Sequence, residues 1–196
     1  MEPSADPERR RRRGKLIAFA LFVITAAPFI AATLAYLYWP PASRLNYGTL
    51  IEPRPLPEAP LKRLDGTAFR LGELKGKWVL LQISSADCRG ACQKALLHMR
   101  QVRLTQGKDR DRIERMWLIT DALPVETLLI RSYDGMHFVR TADGSLLREF
   151  GRPDEVSEHV FLIDPLGNLM LRFPREADPS LMKKDLSRLL RLSRNG

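Results

Sequence analysis

Cys88 and Cys92 are the only two cysteines of this 196-residue chain, separated by Arg89, Gly90 and Ala91. A dithiol so closely spaced is a disulfide, a redox couple or a pair of ligands for one soft metal ion, since thiolates prefer Cu(I) to hard cations. Taken as positions i and i+4 of a helix, the two residues share one face of its first turn, close enough for a disulfide or one shared ion. A helix N-terminus there favours the thiolate, as does Arg89, while Asp87 opposes it. A loop closed over so few residues restrains the unfolded chain little, so the bond would be a poor structural staple. That weighs for a reactive or metal-binding pair over an inert one.

The segments around the pair place it. Residues 78–83 are an almost uniformly apolar run entered through Lys75-Gly76-Lys77, the mark of a strand buried on both faces. Residues 91, 92, 95, 96, 99 and 102 are apolar, which predicts a helix over 91–104 with Cys88 at its exposed N-terminus. Residues 61–71 contain the hairpin signal Asp65-Gly66, and 116–119 form the next buried strand. Short helices are expected over 124–133 and 145–150, with a strand at 136–139 between them. Strands at 160–163 and 168–173 flank the turn Asp164-Pro165-Leu166-Gly167, and a last helix follows Asp178-Pro179, where Asp caps and Pro fits the first turn. This order predicts an α/β domain with a central mixed sheet and the thiols between its first buried strand and the following helix, a thioredoxin-like arrangement.

The N-terminal part reads as an anchor. Residues 16–39 are 24 residues without a charge, about 36 Å as a helix against a hydrocarbon core of roughly 30 Å. Arg9 to Arg13 and Lys15 precede it and Arg44 follows, so the positive-inside bias puts the N-terminus in the cytoplasm and the rest outside. Tyr36, Tyr38 and Trp39 make an outer aromatic belt. The expected division is a basic tail over 1–15, a transmembrane anchor over 16–39, a proline-rich linker over 40–60 and one domain over 61–196. A cleaved signal peptide is the competing reading, but its apolar core is shorter and ends in small residues.

At this point the chain resembles a known family. Trp78-Val79-Leu80-Leu81-Gln82-Ile83-Ser84-Ser85, then Cys88-x-x-x-Cys92, then His159 and Phe161-Leu162-Ile163-Asp164-Pro165-Leu166-Gly167-Asn168-Leu169 are similar to the Sco/SenC proteins, membrane-anchored thioredoxin-like copper chaperones. The resemblance implies copper, Cu(I) or Cu(II), bound by Cys88, Cys92 and His159, and a dithiol able to reduce the cysteines of the cytochrome c oxidase copper site. It implies as partners the oxidase copper-site subunit or another respiratory assembly factor, and a location in the bacterial inner membrane with the domain in the periplasm. The family's spacing would put its histidine eight residues before the aspartate of the Asp-Pro-x-Gly turn, where this chain has Val156; His159 is five before Asp164. Gln93 stands where the family has proline after the second cysteine, and Ala122 where proline commonly follows the aspartate.

Other residues offer less chemistry. His98 and His137 read as surface positions, and the methionines follow core periodicities without clustering. Asp109, Asp111 and Glu114 lie in a run of alternating charge, a solvated helix end. No phosphate loop or Ser/His/Asp signature points to a hydrolase or nucleotide enzyme. Of the formal net charge of +9, residues 1–15 carry six basic and three acidic side chains, net +3, which serve topology and contact with the lipid bilayer. Nucleic acid is not an expected partner, because the remaining basic surface lies outside the cell. Three functions stay open: a copper-binding assembly factor, a membrane-tethered thiol–disulfide oxidoreductase without metal, and a non-catalytic assembly scaffold.

Overall fold

The computed structural model describes residues 7–38, 46–141 and 143–193; Trp39 of the expected aromatic belt, residues 40–45 of the expected linker and the terminal residues 1–6 and 194–196 lie outside them. The chain divides into two compact units, Met1–Leu45 and Asn46–Gly196. The first contains helix α1 (Pro7–Tyr38). Its stretch Arg12–Ala35 has a mean hydropathy of 2.3 and is entirely unburied. It is long and apolar enough to cross a membrane.

The second unit is built on one eight-stranded mixed sheet in the order β1-β8-β7-β4-β5-β6-β2-β3. The strands are β1 (Thr49–Pro55), β2 (Leu61–Arg63), β3 (Ala68–Phe69), β4 (Trp78–Ser84), β5 (Ile113–Ile119), β6 (His137–Thr141), β7 (Val160–Ile163) and β8 (Asn168–Arg172). Between them lie α2 (Ala91–Leu104), α3 (Thr127–Ser132), α4 (Gly144–Arg148) and α5 (Pro153–Val156), and α6 (Pro179–Leu192) follows. β4 pairs in parallel with β5, and β5 with β6, while β7 joins β4 antiparallel. The parallel pairs require crossovers, which α2 and α3 supply. The architecture is the expected thioredoxin-like sandwich with a central mixed sheet.

Every residue of β4 is buried, because helices cover both faces of the sheet. Trp78 and Leu80 point to one side, where they meet Leu96, Met99 and Val102 of α2 and Met182 and Leu186 of α6. Val79, Leu81 and Ile83 alternate to the other, against Leu146, Phe150 and Val156. α6 starts as its sequence predicts: the Asp178 side chain accepts a hydrogen bond from the Ser180 amide at 2.7 Å, with Pro179 in the first turn.

The sheet begins earlier than the sequence suggests. Thr49–Pro55 lies within the span read as a linker, yet it pairs antiparallel with β8. Pro53 and Pro55 are tolerated because β1 is the outermost strand and pairs on one side only, and its register breaks between Leu50 and Arg54.

Candidate functional site

The C-terminal ends of β4 and β5 hold the cysteines. Cys88 and Cys92 form a disulfide with a Cα–Cα distance of 5.3 Å. The helix expectation needs correction here. α2 begins at Ala91, so only Cys92 lies in its first turn; Cys88 sits in the preceding loop. The cause is Gly90, whose φ of +52° breaks the helical path ahead of α2 and is costly for any residue with a Cβ. Cys88 is also not exposed: its fractional exposure is 4 % and that of Cys92 8 %.

Three contacts hold this turn in place. The Asp121 carboxylate, just past β5, accepts hydrogen bonds from Ser85 Oγ at 2.5 Å, the Ala86 amide at 3.2 Å and the Leu123 amide at 3.3 Å. Burial pushes that carboxyl up, but these donors and the Arg140 charge at 3.9 Å outweigh it and leave it below the ordinary aspartate value. Ser85 Oγ in turn accepts from the Asp87 amide at 3.1 Å. Arg89 donates to Asp87 at 2.7 Å, and both side chains are mostly exposed, so the cation expected to favour the thiolate is offset by its neighbour.

Beneath Cys92 lies a buried polar pair that the sequence reading missed. Trp117 Nε1 donates to Ser84 Oγ at 2.8 Å, and Ser84 Oγ lies 3.1 Å from Cys92 Sγ. Ser84 is in the same alternating register as Trp78 and Leu80, so its side chain must face α2. The polar residue closing an apolar strand was the signal that could have found it. Trp117 arrives from the neighbouring parallel strand.

Different depressions adjoin the two cysteines. Cys88 lines one of about 790 Å³ with Gln93, Leu123, Pro124, Val125 and Glu126. Cys92 lines one of about 500 Å³ with Ser84, Thr120, Val156, Ser157 and Glu158. His159 lines neither. It is half-buried ahead of β7, with Nδ1 2.8 Å from the Phe173 carbonyl. A carbonyl only accepts, so Nδ1 carries a proton, and in a neutral imidazole Nε2 is then the nitrogen with the free lone pair. Among the described residues no three His, Cys, Asp or Glu side chains group closely enough to hold a metal ion. The structure therefore brings Cys88 and Cys92 together and, among the described residues, groups no third candidate ligand with them. His137 pairs with Glu114 at 3.3 Å on the sheet, and His98 is half-exposed on α2.

Solved structures share this fold. A SCO1/SenC family lipoprotein from Bacillus anthracis superposes with a TM-score of 0.55 at 16% identity, covering 74% of this chain and 98% of that one. Yeast Sco1 with copper bound gives 0.56 at 15% identity, covering 73% and 96%. A putative thioredoxin from Neisseria meningitidis gives 0.54 at 19%, covering 71% and 91%. At such identities the likeness is one of fold. No curated protein sequence matches. The sequence pattern that does match spans residues 78–193, from the first residue of β4 to just past α6. By that match the chain belongs to the family described as the transmembrane-like, thioredoxin-like, C-terminal domain.

Proposed function

We propose that this chain is a Sco-like assembly factor, tethered to the bacterial inner membrane by α1 with its N-terminus cytoplasmic and its thioredoxin-like domain in the periplasm. Its working group is the Cys88–Cys92 pair, which either takes up Cu(I) as cargo for a cytochrome c oxidase copper site or reduces the cysteines of that site. The observation that carries this reading is the disulfide itself. It sits at the strand ends of a thioredoxin-like sheet, beside two depressions rather than within a sealed core.

The donor set suits Cu(I) in part. Two thiolates buried in an otherwise exposed turn are soft ligands matched to Cu(I). His159 is the proposed third ligand, supported by its tautomer: a metal-binding imidazole commonly donates its other N–H to a backbone carbonyl, as Nδ1 does to Phe173. Against that ligand stands Val156, an apolar residue in the depression beside Cys92. This observation favours the second reading, a thiol–disulfide oxidoreductase that works without metal.

One titration separates the two. The full chain in detergent, reduced, is titrated with Cu(I) against a competing chelator, beside Cys88→Ser, Cys92→Ser and His159→Ala variants. The copper reading expects one Cu(I) per chain, lost in either cysteine variant. No binding in any form, with a measurable dithiol–disulfide potential, assigns the chain to the oxidoreductase reading.

A further inference from the structure

The charge of the second unit is unevenly placed. Segments 91–112 and 179–193 carry ten basic and three acidic side chains, whereas the rest of residues 46–193 carries 14 basic and 17 acidic ones. The two segments adjoin. The Gln106 side chain donates to the Lys183 carbonyl at 3.3 Å and accepts from Ser187 Oγ at 2.7 Å, and Arg112 donates to the carbonyls of Leu190 and Ser193. The domain is therefore basic on the side where α2 and α6 pack and weakly acidic elsewhere. The three acids are already engaged: Asp109 pairs with Arg112, Asp111 with Arg110, and Asp185 is buried and accepts from the Gly48 amide at 2.8 Å.

α6 turns one stripe of these cations outward. Met182, Asp185, Leu186 and Leu190 are buried, so the opposite stripe holds Leu181, Lys184, Arg188, Arg191 and Leu192, spaced three or four residues apart. Lys184, Arg191 and both leucines are exposed, Leu192 by 77%. Arg188 is half-buried, and its Nη1 has no hydrogen-bond partner. Among the described residues none of the three cations has a carboxylate partner, and Arg191 donates to the Ser187 carbonyl of its own helix. Cations set between exposed leucines on one helical stripe are the pattern of a helix lying at a lipid surface.

We infer that the outward stripe of α6 rests on the anionic headgroups of the membrane to which the chain is tethered. Two observations favour lipid over an acidic protein. Leu181 and Leu192, at the two ends of the stripe, suit the boundary between headgroups and acyl chains, which takes an apolar side chain beside a cation. A tether such as α1 also keeps a bilayer within reach of the domain, so weak contacts are populated. Each cation near such a surface gains about fivefold in occupancy, and salt screens that gain. Held in this way, the disulfide meets partners that are themselves at the membrane. The inference rests on the reading of α1 as an anchor and is independent of copper.

The test uses the full chain in nanodiscs of phosphatidylcholine alone or of phosphatidylcholine and phosphatidylglycerol in equal parts. Lysine acetylation by a succinimidyl ester is followed at each site by mass spectrometry. Lys184 should react at least roughly fivefold more slowly in the anionic disc than in the neutral one, while Lys62, exposed on β2, should react equally in both. Sodium chloride at about 0.5 M should abolish the difference. Lys184→Glu with Arg191→Glu, both at exposed positions and checked by a melting curve, should abolish it at Lys183. Leu192→Ser should reduce it without removing it. Labelling of Lys184 that does not depend on the headgroup overturns the inference: if fast in both discs, the basic face is left to an acidic macromolecule, and if slow in both, the contact is apolar. A chain that enters neither disc overturns the anchor reading instead, and the same labelling with phosphatidylglycerol vesicles then still decides whether α6 meets anionic lipid.

Discussion

The cysteine turn and the loop carrying His159 stand at the same end of the sheet, because β7 runs antiparallel to β4 and pairs Val160 with Gln82. Both are also tied down from beneath. Asp121 holds the turn through Ser85 and Ala86, and the Gln82 side chain donates to the Ser157 carbonyl of the loop at 2.7 Å. Yet the turn brings its two chemistry-bearing side chains into a covalent bond, while the loop lines the depression beside Cys92 with Val156, Ser157 and Glu158 and not with its histidine. Topology alone therefore delivers a loop to a site without choosing which residue faces it. That choice is made by the last few residues before the strand, where α5 ends at Val156 and His159 turns to Phe173.

The comparison breaks most readily at the cysteines. Cys88→Ser and Cys92→Ser should each abolish intramolecular disulfide formation. Each should also weaken Cu(I) binding by more than the roughly 100-fold expected of a supporting residue. Thiol counting and chelator competition read the two effects. Copper binding retained in either variant would mean that the metal sits elsewhere in the chain.

Asp121→Ala ranks next, since it removes a charged acceptor serving two donors in the cysteine turn and the Leu123 amide in its own segment. A loss of about 2 kcal/mol in urea unfolding is expected, together with faster reduction of the disulfide by a small thiol. Acid should act through the same group. Its folded-state pKa lies below the ordinary value of 3.8. The ionised carboxylate therefore contributes stability that is fully present above that value and is lost as pH falls through the folded pKa. Asp121→Asn should flatten the decline in stability below about pH 4. An equally steep decline would place the acid sensitivity in other carboxylates.

Much of this molecule was legible in its residue pattern, for identifiable reasons. The run at 78–83 and the apolar spacing at 91–104 are local signals, and they marked β4 and α2 because burial on both faces or on one helical stripe leaves a direct imprint. The α6 start was equally local, written in Asp178 and Pro179. β1 was hidden because Pro53 and Pro55 argue against any strand unless it is known to lie at an edge. Cys88 was assigned to the helix because the apolar periodicity reaches back towards it and does not register the positive φ of Gly90. The bond from Trp117 to Ser84 joins residues 33 apart in sequence, and Asp121 reaches back 36 residues to Ser85. Such contacts follow from the parallel register of β4 and β5, which no local pattern carries.

Val156→His would sharpen the contrast between turn and loop by placing an imidazole in the lining of the depression that also includes Cys92. Val156 is buried among Ile83, Leu146 and Phe161, so the change should cost about 2 kcal/mol of stability. In return the reduced protein should bind copper roughly tenfold more tightly, and its Cu(II) form should show nitrogen as well as sulfur coordination by X-ray absorption. A stable variant with unchanged affinity would show that the depression beside Cys92 is not where a third ligand acts.

His159→Ala should give the smallest effect of the series, and it bears most directly on the contrast. Removing the imidazole deletes the hydrogen bond from Nδ1 to the Phe173 carbonyl, worth about 1 kcal/mol net, and leaves both sulfurs and their turn untouched. Cu(I) held by two thiolates needs no nitrogen, so its affinity should fall by less than roughly tenfold. Cu(II), which favours imidazole more strongly, should lose more. If Cu(I) binding instead collapses as it does in the cysteine variants, His159 must reach the sulfurs once the disulfide is open. The absence of His159 from the depressions beside the cysteines would then belong to the oxidised state alone, and reduction would be the event that assembles a three-ligand site.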